Sequence, residues 1–226
     1  PCLLRFMRAT SWPDAPLTVL FSTGGTGVAD THYQALSGQA VIAGGNRSLD
    51  VAVVPISDST AQGPRTVTVT IQPNGAAYTI GTNQTASVVI RDKPFDAWRH
   101  ANFASLGEEN SSASDPASDP DHDGLVNRFE FVLGGDPLDG KVTEAPTVQL
   151  EEEGGRRWLV MQYWHSGAAK TLHPVVQFSE SLGGWTNSPG APETLFHEPS
   201  TGDRLLRHAE DVTELPKMFL RLSLED

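Results

Sequence analysis

Short runs in which apolar and polar residues alternate fill most of the first part of the chain. Between Leu17 and Asp92 these runs are separated by turns rich in glycine and asparagine, and the clearest are LTVLFS, SLDVAVVPI, TVTVTI and ASVVI. Alternation with a period of two predicts strands that bury one face. Strands this short, with turns at this spacing, predict an antiparallel β-sandwich.

The pattern changes at Lys93. The segment FDAWRHANFASL places Phe95, Trp98, Ala101 and Leu106 at the spacing of one helical face. A polar loop and an acidic segment follow, and then a short helical run, VNRFEFVL, that two glycines end. From Pro146 the alternation of strands returns.

We therefore expect a mainly β protein with three parts. The predicted parts are an immunoglobulin-like β-sandwich (1–92), a helix–calcium loop–helix connector (93–144) and a second small β-sandwich (145–226).

The acidic segment 119–130, DPDHDGLVNRFE, matches the pattern D-x-D-x-D-G-x5-E at every position. Calcium takes about six to eight oxygen ligands, and carboxylates at alternate positions converge only if the chain curls around the ion. Gly124 stands where that sharp turn is needed. The predicted ligands are side-chain oxygens of Asp119, Asp121, Asp123, Asn127 and Glu130, and the backbone carbonyl of Leu125.

The donor set also indicates which ion is bound. Ligation by oxygen alone, without cysteine or paired histidines, favours Ca²⁺ over zinc. His122 alternates with the ligand positions, so we expect it to point away from the ion.

The formal net charge of −12 is unevenly placed along the chain. Residues 1–92 contain equal numbers of acidic and basic side chains, so the whole net negative charge lies in 93–226. Such a surface disfavours nucleic acid, because phosphate binding needs clustered lysine and arginine. No apolar run approaches the roughly 20 residues of a membrane helix. We expect neither nucleic-acid binding nor membrane insertion.

Residues from about Leu3 to Asp92 resemble a Calx-beta domain, on the strand runs given above and the closing ASVVIRD. The resemblance implies a seven-stranded sandwich of a kind common in extracellular and adhesion-type proteins, some of which bind calcium at one end. Acidic positions of that family's site hold His32, Ser57, Gln62 and Arg65 here. We expect this part of the chain to be a calcium-free scaffold.

The second half resembles a C-terminal module of large secreted proteins of environmental bacteria. The matching features, in order, are FDAWRHANF, DPDHDGLVNRFEFVLGGDP, QFSESLGGW and KMFLRLSLE. The acidic loop itself is similar to thrombospondin type 3 and dockerin-like loops. The resemblance implies a structural or adhesive role, so we expect a fragment of a longer bacterial protein that is secreted or held at the cell surface.

No motif selects a catalytic residue, since the chain lacks G-x-S-x-G, H-E-x-x-H and a phosphate-binding glycine loop. Three functions remain open. The first is a calcium-binding adhesion-type module, in which the ion rigidifies the junction of two β domains and a protein or polysaccharide surface is the partner. The second is a small calcium-dependent hydrolase of an ester or lactone, with an open coordination position at Asp123 or Glu130 and His122 as base. The third is a carbohydrate-binding module, for which Trp185 is the best surface candidate.

Overall fold

The computed structural model describes residues 1–8, 14–75, 77–141 and 145–224. The chain divides into two compact units, Pro1–Lys93 and Pro94–Asp226. The three-part division expected from the sequence stays a prediction, and its boundary at residue 144 lies outside the described residues.

The first unit is a β-sandwich of antiparallel strands. Its described strands are β1 (Cys2–Met7), β2 (Leu17–Gly25), β3 (Gln39–Ile42), β4 (Ser48–Val53), β5 (Arg65–Ile71) and β6 (Thr85–Ile90). One sheet has the order β3-β2-β5-β6, and β1 pairs with β4 in a second sheet. Phe6 and Val53 from the second sheet share one core with Phe21, Ile42 and Val67 from the first. The described residues thus form six strands rather than the seven that the resemblance implies.

The second unit begins with helices and continues as strands. Its elements are α1 (Pro94–Phe103), α2 (Asn127–Leu133), β7 (Thr147–Glu153), β8 (Arg156–His165), β9 (Pro174–Ser179), β10 (Thr186–Asn187), β11 (Glu193–His197), β12 (Arg204–Asp211) and β13 (Phe219–Leu224). The strands form two antiparallel sheets, β11-β12-β8-β7 and β10-β9-β13. Tyr163 and Leu206 of the larger sheet share a core with Val176 of the smaller one. The prediction of a mainly β fold with a short helical segment is confirmed.

Helix α1 buries part of the expected face, since Phe95 and Trp98 pack against a hydrophobic cluster of the second unit. Ala101 and Leu106 are exposed, whereas Asp96, Arg99 and Phe103 are buried. The Arg99 guanidinium lies 3.2 Å from the Asp96 carboxylate and also donates to the hydroxyl of Ser114. Burial of this charged pair is tolerated because each group has hydrogen-bonding partners. The prediction was therefore wrong for Ala101 and Leu106.

Helix α2, which closes the acidic loop, is fixed on two sides within the second unit. Leu133 belongs to the core between the two sheets. Phe131 packs against Phe95 and Trp98 of α1, with ring centroids 5.4 Å and 6.0 Å away. The end of the acidic loop is thus part of the hydrophobic core of this unit.

Within the described ranges, no helix has both the length and the apolar character needed to span a bilayer.

This anchoring predicts a large difference between two leucines of the second unit. Leu133→Ala should lower the free energy of unfolding by about 2–5 kcal/mol, because Leu133 is 2% exposed and its truncation leaves a cavity. Leu106→Ala, at a side chain that is 56% exposed, should change it by less than about 0.5 kcal/mol. Urea denaturation followed by tryptophan fluorescence measures both changes. Equal effects would contradict this description of α2.

Candidate metal centre

Three aspartates of the acidic loop converge on one point. Asp119, Asp121 and Asp123 each offer a carboxylate oxygen, and these atoms lie within 4.8 Å of one another. Oxygens of these carboxylates also accept hydrogen bonds from the loop backbone: Asp119 Oδ2 accepts from the N–H of Gly124 at 3.1 Å, and Asp123 Oδ1 accepts from the N–H of Leu125 at 2.7 Å. Gly124 has φ of +96°, a conformation that favours glycine. The loop therefore curls as its sequence predicts.

Several predicted ligands have a buried oxygen without a hydrogen-bond partner among the described residues. These atoms are Asp119 Oδ1, Asp121 Oδ2, Asn127 Oδ1 and Glu130 Oε2. Asn127 is 0% exposed and Glu130 is 1% exposed. A buried acceptor left unpaired costs about 1–3 kcal/mol, and more when it is charged. Bonding to a hard cation would remove that cost, so these donors fit a metal ion that binds oxygen.

The electrostatics of the loop lead to the same conclusion. Burial, followed by the charges of Asp121, Asp123, Asp119 and Asp136, raises the pKa of Glu130 to about 8. Burial is also the main cause of the raised pKa of Asp121. The protein alone therefore disfavours full ionisation of this group of carboxylates. A bound divalent cation would reverse the balance by favouring the charged forms.

Asn127 links the loop to the chain that precedes it. Its side-chain amide donates to the carbonyls of Ala113 at 2.8 Å and Asp115 at 2.7 Å. Its backbone N–H donates to the carbonyl of Ser118. The amide nitrogen is thus committed to the fold, while Oδ1 is left for a ligand. The side chain of Leu125 packs against the core of the second unit, and the role of its carbonyl stays a prediction.

His122 is exposed and has a left-handed backbone with φ of +63°. Its exposure agrees with a side chain that points away from the converging oxygens.

In the first unit, His32, Gln62 and Asp92 have hydrogen-bond partners within the protein. The N–H of Val28 donates to His32 Nδ1 at 2.8 Å, so Nε2 carries the proton that it donates to Gln62 Oε1 at 2.9 Å. Oδ2 of the retained Asp92 accepts from the backbone N–H groups of Gln62 and Gly63, both at 2.9 Å. These groups already have protein partners, in contrast to the oxygens of the acidic loop.

One serine–histidine–glutamate cluster that the sequence did not single out lies between the sheets of the second unit. His208 Nε2 is 2.6 Å from Ser188 Oγ and 2.9 Å from Glu210 Oε1, and Ser188 also donates to Glu210. In a catalytic triad the acid binds Nδ1, which leaves Nε2 to accept the serine proton. Here serine and acid share one ring nitrogen, so the cluster links the two sheets rather than activating the serine.

Two of the described tryptophans are partly covered by neighbouring side chains. Arg221 covers Trp185, with its guanidinium 4.4 Å from the ring centroid. Trp164 is 37% exposed and makes an edge contact with Phe196. Trp12, another candidate for a sugar-binding face, lies outside the described residues.

Comparison with known proteins gives solved structures of low similarity, among them two of CBD12. A calcium binding domain, CBD12 of CALX1.1, matches at 17% identity with a TM-score of 0.36, covering 41% of this chain and 38% of that one. CBD12 from CALX1.2 matches at 12% identity with a TM-score of 0.37, covering 99% of this chain and 72% of that one. No protein-family model matches the chain, and no curated protein matches it. These likenesses are too low to support an argument about function.

The raised pKa of Glu130 predicts a pH dependence of stability. In chelator, the metal-free protein should lose stability as the pH rises from about 4.5 to about 8, because the folded state binds this proton more tightly than the unfolded state does. Glu130→Gln should flatten the profile, whereas Glu153→Gln, at an exposed position, should leave it unchanged. Thermal denaturation across this pH range measures the effect. A wild-type profile identical to that of Glu130→Gln would show that Glu130 ionises freely.

Proposed function

We propose that residues 119–130 bind one calcium ion, which stabilises the second unit of an extracellular structural or adhesion-type module. The observation that carries the proposal is the set of buried, unpaired oxygens on Asp119, Asp121, Asn127 and Glu130. They occur at ligand positions of a calcium-loop pattern, and carboxylate oxygens of the three aspartates lie within 4.8 Å of one another.

Calcium is the ion that this donor set favours. Carboxylate and amide oxygens suit hard cations, and calcium accepts the irregular coordination that a chain loop provides, whereas magnesium requires a nearly ideal octahedron. The four acidic side chains of the loop would also supply the charge that balances a divalent cation.

A stabilising role follows from where the ligands lie in the fold. Glu130 is on α2, whose Leu133 and Phe131 belong to hydrophobic clusters of the second unit. Asp119 and Asp121 follow the segment that Asn127 connects to the start of the same helix by its hydrogen bonds to Ala113, Asp115 and Ser118. An ion bound to all of them would cross-link the loop to the core of this unit.

The proposal also includes the location of the module and its partner. An extracellular, bacterial location and a protein or polysaccharide partner are supported by the resemblance of the second half to modules of secreted proteins. The predicted rigidifying of the junction between two β domains stays a prediction.

Calcium should raise the melting temperature of the wild-type protein and bind with one ion per chain. At a free concentration of one hundred times Kd, the ion should add about 2.7 kcal/mol to the free energy of unfolding. Asp121→Ala should abolish this gain, because it removes one of the converging carboxylates. Asp139→Ala is the control, since Asp139 is exposed and pairs with Lys141 at 3.1 Å.

Calorimetric titration and thermal denaturation, each with calcium and with chelator, measure these effects. If wild type and Asp121→Ala gain the same stability from calcium, the loop is not the binding site.

The calcium-dependent hydrolase receives less support, because its base, His122, is exposed and is expected to point away from the ion. The separate cluster of Ser188, His208 and Glu210 shares one ring nitrogen and does not replace that base. We expect no turnover of chromogenic esters or lactones above the rate in buffer, with or without chelator. Turnover that chelator stops and that Asp121→Ala lacks, in a variant that still folds, would establish the hydrolase instead.

A further inference from the structure

We propose that residues 134–140, the closing turn, form a second wall of the metal centre, outside the twelve-residue loop. In this wall Gly140 positions the backbone of Asp121, and Asp136 adds a fifth carboxylate to the charge around the ion. The proposal rests on the calcium site proposed above and extends it to residues that the loop pattern does not include.

The closing turn touches the loop at two places. A Cβ atom at Gly140 would lie 3.1 Å from the carbonyl oxygen of Asp121. A Cβ atom at Gly135 would lie 3.3 Å from Cβ and 3.4 Å from Oε1 of Glu130. Both distances are at or below ordinary van der Waals contact, so the absence of a side chain lets the turn approach these two ligands.

Backbone hydrogen bonds explain how the chain returns to the loop. The N–H groups of Gly134 and Gly135 donate to the carbonyl of Glu130 at 2.7 Å and 2.8 Å. Gly134 has φ of +88°, which ends α2 in a left-handed cap. Asp136 then accepts from the N–H of Leu138 at 3.1 Å, which restricts its carboxylate. The turn thus starts at one ligand, Glu130, and its last residue, Gly140, lies close to the backbone of another, Asp121.

Asp136 directly follows Gly135, whose Cβ position is 3.3 Å from Cβ of Glu130, so its charge lies close enough to act on the loop. A charge that repels the Glu130 carboxylate attracts a divalent cation bound beside it. This attraction is long-range and weakened by salt, unlike a direct metal–oxygen bond. Asp136 is therefore a positioning residue of the site and not one of its ligands.

Two substitutions with matched controls test the closing turn. Gly140→Ala adds only the methyl group that would press on Asp121, and Gly183→Ala is its control because nothing lies within 4 Å of that position. Neither glycine has a positive φ, so alanine introduces no backbone strain at either. Asp136→Asn removes the charge, and Asp139→Asn removes a charge of the same turn that Lys141 already pairs.

Calorimetry should give a calcium Kd that is weaker by about three- to tenfold for Gly140→Ala and Asp136→Asn. The controls should stay within about twofold of wild type. The effect of Asp136→Asn should shrink at high salt, whereas that of Gly140→Ala should persist. If the turn only capped α2, the two variants would change the melting temperature in chelator, but their calcium Kd would not differ from that of their controls.

The outcomes separate the two proposals. If wild type binds no calcium, the proposed function fails and the role of the closing turn fails with it. If wild type binds calcium and both variants bind it as tightly as their controls, only the role of the closing turn is overturned. The same conclusion follows if both variants lose stability in chelator while their calcium Kd is unchanged.

Discussion

Charge neutralisation at Glu130 is the interaction on which the second unit depends. Glu130 is buried at 1% exposure, faces the charges of the loop aspartates, and lies on the helix that carries Phe131 and Leu133 into the hydrophobic clusters. One short helix therefore joins a concentration of like charge to the core of a β-sandwich. A proton or a cation must balance that charge, and the unpaired oxygens around it are of the type that calcium binds.

The two units differ in whether acidic side chains have hydrogen-bond partners. In the first unit, Asp92 accepts two backbone N–H groups, and His32 and Gln62 bond to each other where the resembling family carries acidic residues. In the second unit, Asp119 and Asp121 each keep one buried oxygen without such a partner. A carboxylate oxygen with protein partners gains little from an ion, whereas a bound cation would relieve the cost of a buried oxygen without one. This contrast supports the proposal that the metal site lies in the second unit.

Local patterns were sufficient to predict many of the strands and the curl of the acidic loop, because both are encoded by short-range spacing, but β3, β10 and β11 were not predicted. Alternation along β5 identifies its buried Val67 and Val69, and the twelve-residue pattern brings its aspartates together wherever it occurs. Contacts between distant segments were not predictable in this way. Burial of the Asp96–Arg99 pair depends on Ser114, and the approach of Gly140 to Asp121 depends on a turn beyond the pattern. From the sequence alone, a glycine and an aspartate that follow the end of a helix indicate only a helix cap and a turn.

The measurement that tests the central claim most directly is an anomalous difference map from crystals grown with calcium. We expect one peak at the loop, about 2.3–2.6 Å from oxygens of Asp119, Asp121, Asp123 and Glu130. No peak there, with ordered water hydrogen-bonded to those same oxygens at saturating calcium, would contradict the account.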